Sequence, residues 1–219
     1  MNQPGQPPST QPVAPASTRW AELAGPASGA EYAARFARLA ASGQNPHGEA
    51  DFCAALVPAP ASVLDAGCGT GRVAMRLAEL GYRTVGADLD DSMLAEARRA
   101  RPDLTWLHAD LATLPDLATW PAAGFDLVVA AGNVVALLAP GTLGKTVRRL
   151  AAVLAPGGLL VAGFGLDQAH LPARCPMTPA ADYHTACADA GLSPVRQHGG
   201  WDGADQPAGY LVAVHRKPA

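Results

Sequence analysis

From residue 62 onward, two hydrophobic periods take turns along this chain. Near-continuous apolar runs at Ser62 to Ala66, Arg83 to Asp88, Thr105 to Ala109, Phe125 to Ala131 and Leu159 to Phe164 predict strands buried on both faces. Between them, apolar residues recur at helical spacing over Gly71 to Leu80, Ser92 to Ala100 and Thr142 to Leu154. Each pattern meets a breaker, respectively Gly81, Pro102 and Pro156-Gly157-Gly158. Ser92 is placed to cap the second of these helices, with Glu96 in its first turn. A last helix opens at Thr178-Pro179 and closes at Gly191. Leu192 to Gln197 and Gly209 to His215 then read as a hairpin joined through Gly199-Gly200-Trp201-Asp202-Gly203. Strands alternating with helices predict an α/β fold, a doubly wound, mostly parallel sheet with helices on both faces.

Ahead of this core the pattern changes twice. Met1 to Ser17 carries no charged side chain and is rich in Pro and Gln, a composition that cannot bury enough surface to offset ordering, so residues 1–17 are expected to be a disordered tail. Residues 18–60 hold two helical patterns. Glu31 to Ala41 sets Tyr32, Phe36 and Leu39 on one face with Arg35 and Arg38 elsewhere, and Gly43 and Pro46 end it; Gly48 to Val57 is closed by Pro58 and Pro60. These helices are expected to form a lid over a core of residues 61–219. Phe36 and Leu39 read as packing, and Tyr32 as the lid candidate.

With 219 residues, 49% hydrophobic and 16% charged, the chain has enough apolar material for one full core. A net charge of −3 gives no field to gather a polyanion, and Arg98, Arg99 and Arg101 read as a solvated helix end, which argues against nucleic acid as a partner. Cys53, Cys68, Cys175 and Cys187 show no paired metal spacing, so no metal is expected, and a reducing cytoplasm is the simpler home. The N-terminus lacks the basic start and apolar centre of a secretory signal. The longest apolar run, Val128 to Ala139, contains Asn133 and falls short of the roughly 20 residues of a membrane span.

The chemistry concentrates at Ser62 to Arg72, a strand that ends in an acid, turns through three alternate glycines and enters a helix. Gly67, Gly69 and Gly71 allow positive φ and let a ligand lie against the main chain. A second strand ends in Asp88, 17 residues after Gly71. A dinucleotide fingerprint would read G-x-G-x-x-G with a pyrophosphate at the helix start. Here the spacing is G-x-G-x-G, and Asp65 would repel a pyrophosphate but suits an ammonium and a neighbouring sulfonium. On Asp65-Ala66-Gly67-Cys68-Gly69-Thr70-Gly71, the chain resembles the class I S-adenosylmethionine-dependent methyltransferases, and Leu154-Ala155-Pro156-Gly157-Gly158-Leu159-Leu160 resembles the turn before their fifth strand. That resemblance implies a seven-stranded sheet whose last strand is antiparallel, S-adenosylmethionine as cofactor, S-adenosylhomocysteine as product, and in-line methyl transfer to an acceptor. The missing recognition domain and the lack of an Asn-Pro-Pro-aromatic tetrad point to a small organic acceptor.

The resemblance also implies which strand ends touch the cofactor: Asp65, Ala66, Gly67, Cys68, Gly69 and Gly71 after the first strand, and Asp88, Leu89 and Met93 after the second, Asp88 taking the ribose diol. After the third, Asp110 would meet the adenine amine beside Leu111, or else cap a turn. After the fourth, Ala130 and Asn133 would lie below the methionine portion, Asn133 orienting ligand or acceptor or capping a turn. His170, with Asp167 beside it, is the candidate base; His198 and Asp202 start from the same edge, and Trp201 is placed on the substrate side. His108 reads as structural, and His184 and His215 as remote. Three other readings stay open: a cofactor-binding member that transfers no methyl, a nicotinamide-dependent oxidoreductase, and methylation of a macromolecule, which the mild acidity and missing recognition domain disfavour.

Overall fold

A computed structural model of the chain describes residues 17–23, 28–43, 45–115, 121, 123–205 and 208–219. The expected tail, apart from Ser17, lies outside the described residues. The elements run α1 (Arg19–Leu23), α2 (Ser28–Ala41), α3 (Gly48–Leu56), β1 (Ser62–Ala66), α4 (Arg72–Glu79), β2 (Arg83–Asp88), α5 (Asp91–Ala100), β3 (Thr105–His108), β4 (Phe125–Ala130), α6 (Val134–Leu137), α7 (Leu143–Val153), β5 (Leu154–Gly165), α8 (Ala180–Asp189), β6 (Ser193–His198) and β7 (Tyr210–Arg216). Single 3-10 turns occur at Leu111–Thr113 and Gln168–His170.

The strands form one seven-stranded sheet in the order β3-β2-β1-β4-β5-β7-β6, parallel except that β7 runs antiparallel to both β5 and β6. Strand alternation sorts the core by face. Leu64, Val128, Leu160, Phe164 and Leu211 join α7 and α8 on one side, whereas Val63, Leu127, Val161 and Val212 meet Ala50 and Cys53 of α3 and Val73 and Leu77 of α4 on the other. The helix α3 is thus part of the packed core, while α2 lies on α5 so closely that a Cβ on Gly29 would overlap the Ser92 backbone.

Two local readings are corrected. Asp90, not Ser92, caps α5: its carboxylate accepts from Ser92 N (2.8 Å) and Met93 N (3.3 Å), and Ser92 Oγ instead accepts from Gly29 N (3.2 Å). Strand β5 also starts earlier than expected, because Leu154 pairs with Phe125 before the register shifts across Pro156-Gly157-Gly158, where Gly158 lies against the Phe125 carbonyl.

Far from the carboxyl edge, His184 Nδ1 lies 3.2 Å from Nε2 of the buried His215, and Gln197 contacts the other His184 nitrogen. Burial, aided by His184, pushes the His215 imidazole down to about 4 from its ordinary 6.5. The folded state therefore holds the proton less well than the unfolded one, and stability falls as the pH drops from 6.5 toward 4, by at most about 3 kcal/mol. His215→Gln is expected to flatten the decline in Tm between pH 7.5 and 4.5 relative to wild type. An identical slope in both proteins would contradict the assignment.

Candidate active site

The strand order reverses between β1 and β4, and a cleft opens beyond their carboxyl ends. The loop after β1 is pinned to β2: Gly67 N and Cys68 N both donate to Ala87 O, at 2.8 and 3.0 Å. Asp88 completes the attachment, its Oδ2 accepting from Gly69 N (2.7 Å) and its Oδ1 from Asp90 N (2.9 Å). The three glycines have positive φ but different neighbours. A Cβ on Gly67 would stand 2.5 Å from Val134 Cγ2, and one on Gly71 would run into the Trp106 ring. One on Gly69 would clash with nothing, making only van der Waals contact at 3.8 Å from Met93 Sδ and 4.0 Å from Tyr32 Cε1. Gly69 is the one whose missing side chain leaves room for a ligand.

Nine of the residues singled out in the sequence line the cleft: Tyr32, Gly67, Cys68, Gly69, Asp88, Leu89, Met93, Asp110 and Leu111. Asp88 and Asp110 are the charged side chains of that lining, which includes no basic residue among the described ones. Asp110 Oδ1 also accepts from Ala112 N (2.8 Å), so it caps the 3-10 turn while facing the cleft. Burial raises the Asp88 carboxyl above its ordinary value, against the backbone donors of Asp90, Gly69 and Leu89. Each Asp88 oxygen spends one lone pair on the backbone and keeps another for a donor such as a ribose hydroxyl.

Seven expected residues lie outside the cleft lining. Asp65 is buried under the loop, where its Oδ2 accepts from Ala74 N in the first turn of α4 (3.0 Å); burial pushes it up to about 7, against that bond and the Arg72 guanidinium. Arg72 forks onto Glu49 (2.7 and 2.5 Å) and sits over the Phe36 ring. Ala66 and Ala130 are core residues, and Gly71 makes room for Trp106. Trp201 packs close against Gly163, meets the Phe52 ring edge to face and donates to Tyr210 OH (3.2 Å). The Asn133 amide is held by the backbone of Gly165 and His170, and His170 itself is half-exposed with Nδ1 2.7 Å from Asp167 Oδ1. His198 is buried against Phe52, with Nδ1 3.1 Å from Gly203 O, and His108 Nε2 lies 2.9 Å from Leu89 O.

The sequence reading missed the element that crosses the mouth. Helix α1 has no buried residue, yet Trp20 Nε1 donates to Asp90 Oδ2 (2.8 Å) and Arg19 Nη1 to Ala136 O (2.9 Å), bridging α5 and α6 over the cleft. Trp20 also meets the Tyr32 ring edge-on, and Thr18 and Trp20 line the cavity. Gly132, Val134, Leu137 and Leu138 of the β4 turn and α6 supply an apolar wall. A five-residue helix shows no period, and the α6 segment merges into the apolar run of β4, so neither left a pattern to read.

Among known proteins, residues 63–158 match the family model of a methyltransferase domain. A solved TehB-like S-adenosylmethionine-dependent methyltransferase from Corynebacterium glutamicum superposes with a TM-score of 0.76 at 32% identity, over 88% of this chain and 100% of that one. A methyltransferase of Mycobacterium tuberculosis is 39% identical over 100 residues, 45% of this chain and 47% of its own. A malonyl-[acyl-carrier protein] O-methyltransferase of Enterobacter lignolyticus is 38% identical over 113 residues, 51% of this chain and 42% of its own. The matches thus span less than half the length of these two curated relatives.

Proposed function

From the premise that the chain belongs to the class I S-adenosylmethionine-dependent methyltransferases, we propose that its cleft binds S-adenosylmethionine and that the protein methylates a small organic acceptor. The observation that carries this reading is the cleft lining: backbone of Gly67 to Gly69 beside two carboxylates, Asp88 and Asp110, with no basic side chain among the described lining residues. Such a lining suits a cationic nucleoside carrying a diol and an exocyclic amine, and it disfavours the pyrophosphate of a nicotinamide dinucleotide.

On this reading Asp88 holds the ribose hydroxyls. Leu89, Met93 and Leu111 would pack on the base, Asp110 would accept from its amine, and Gly67, Gly69 and Tyr32 would hold the methionine portion. Buried Asp65 supplies negative potential from below. When bound, S-adenosylmethionine brings a methyl already activated by the sulfonium. The protein's share is then to align the acceptor and exclude water, tasks suited to Tyr32, Trp20 and the α6 wall. His170 stands beyond Asn133 as the group to take a proton from the acceptor. Its Nδ1 is engaged by Asp167, which leaves Nε2 free for that work.

Transfer of labelled methyl from S-adenosylmethionine to a panel of thiols, amines, carboxylic acids and hydroxyl compounds tests the function. Label in at least one class, with S-adenosylhomocysteine formed in equal amount, is expected. Tight cofactor binding without transfer to any class would contradict it in favour of a binding-only member. Two variants refine the picture. Trp20→Ala should speed S-adenosylhomocysteine dissociation severalfold with Tm unchanged, because α1 buries no side chain of its own; unaltered dissociation would remove the lid role. His170→Ala should lower turnover by about tenfold or more at constant cofactor affinity, and full activity would remove His170 from the chemistry.

A further inference from the structure

We propose that Asn133 is a positioning residue: it fastens the Asp167–His170 turn to the wall of the cleft and so fixes the His170 imidazole. The proposal rests on the reading above only in taking His170 to serve the acceptor. Asn133 sits between Gly132 and Val134, both of which line the cleft, and it adopts the left-handed conformation, φ 70 and ψ 17. That conformation disfavours most side chains but is tolerated by Asn. It turns the amide toward the end of β5, where every hydrogen-bonding group of the residue's side chain finds backbone. Oδ1 accepts from Gly165 N at 2.7 Å, Nδ2 donates to His170 O at 3.0 Å, and the residue's own N donates to Gly163 O at 3.2 Å.

The other side of the turn is equally constrained. Asp167 Oδ1 accepts from His170 N (3.1 Å) and engages His170 Nδ1, while Leu166 N donates to Gly209 O (2.7 Å) at the start of β7. Gly209 lies so close that a Cβ there would collide with the Asp167 carboxylate and come within 2.8 Å of His170 Nδ1. Gly165 is pressed against the His170 carbonyl in the same way, a Cβ there standing 2.7 Å away. The turn is therefore clamped between Gly209 and Asn133, and Asn133 is the clamp whose chain neighbours, Gly132 and Val134, line the cleft. Only an amide serves both of its partners, since a carboxylate could accept from Gly165 N but would oppose its lone pairs to the His170 carbonyl.

The test reads the imidazole directly and needs no acceptor. Long-range proton–nitrogen correlation spectra of the full chain at pH 8 report which ring nitrogen of His170 carries the proton, with His170→Ala to assign the signal. Wild type is expected to show one tautomer, protonated at Nδ1. Asn133→Asp keeps the acceptor for Gly165 N but replaces the bond to His170 O by repulsion, and Asn133→Gly keeps the left-handed backbone while removing both bonds. Both are expected to mix tautomers, and both should lower kcat about tenfold or more once an acceptor is known, with the KM for S-adenosylmethionine nearly constant. Unchanged His170 spectra in both folded variants would overturn the proposal. If His170→Ala instead keeps full turnover, the acceptor role of His170 fails, while the spectra still decide whether Asn133 holds it.

Discussion

Asp88→Ala is expected to weaken S-adenosylhomocysteine binding by well over tenfold, the largest loss from any single side chain of the cleft. Two charge-assisted hydrogen bonds from a ribose diol are worth about 1.5 to 3 kcal/mol each. The same carboxylate also restrains Gly69 N and Asp90 N, so its removal frees the loop that must lie along the ligand. Titration calorimetry on the folded variant checks this. Wild-type affinity in a protein that keeps its circular dichroism spectrum would contradict the ribose assignment. Asp88→Asn gives a graded control, because the amide still offers one acceptor but turns donors toward backbone N–H groups.

Asp65→Asn should act in opposite directions on stability and on binding. Burial holds the Asp65 carboxyl at about 7, above its ordinary 3.8, so the folded state binds its proton more tightly than the unfolded chain. The associated stability is fully present below 3.8 and is lost as the pH rises through 7, a cost approaching about 4 kcal/mol at pH 8 as an upper bound. An asparagine accepts the Ala74 N–H without the charge. The variant should therefore melt several degrees higher than wild type at pH 8, with the difference vanishing below pH 4. Its affinity for S-adenosylmethionine should fall, because the carboxylate that destabilises the free protein is the one that favours a cationic ligand. A variant less stable than wild type at pH 8 would contradict this account.

The parts of the fold legible in the sequence are those written in local patterns. Apolar runs marked β1, β2 and β4 to within a residue, and Gly67 to Gly69 with Asp88 announced the cleft, because backbone conformation and strand-end acids leave local traces. What could not be read depends on contacts far apart in sequence between ordinary residues. Trp20 meets Asp90, Arg19 meets Ala136 and Asn133 meets His170, and nothing in any one segment signals its partner. Gly71 illustrates the ambiguity of a motif: its place in the glycine series reads as ligand contact, whereas its missing Cβ accommodates Trp106. Asn133 was likewise visible as a polar residue after β4, but only the folded chain shows its amide spent on two backbone groups.

The acidic, glycine-floored cleft is expected to take S-adenosylmethionine and not a dinucleotide. Parallel isothermal titrations of the full chain with S-adenosylhomocysteine and NAD test it most directly. One S-adenosylhomocysteine bound per chain, lost in Asp88→Ala, and no heat from NAD are expected; saturable binding of NAD with none of S-adenosylhomocysteine would contradict the assignment of the cleft.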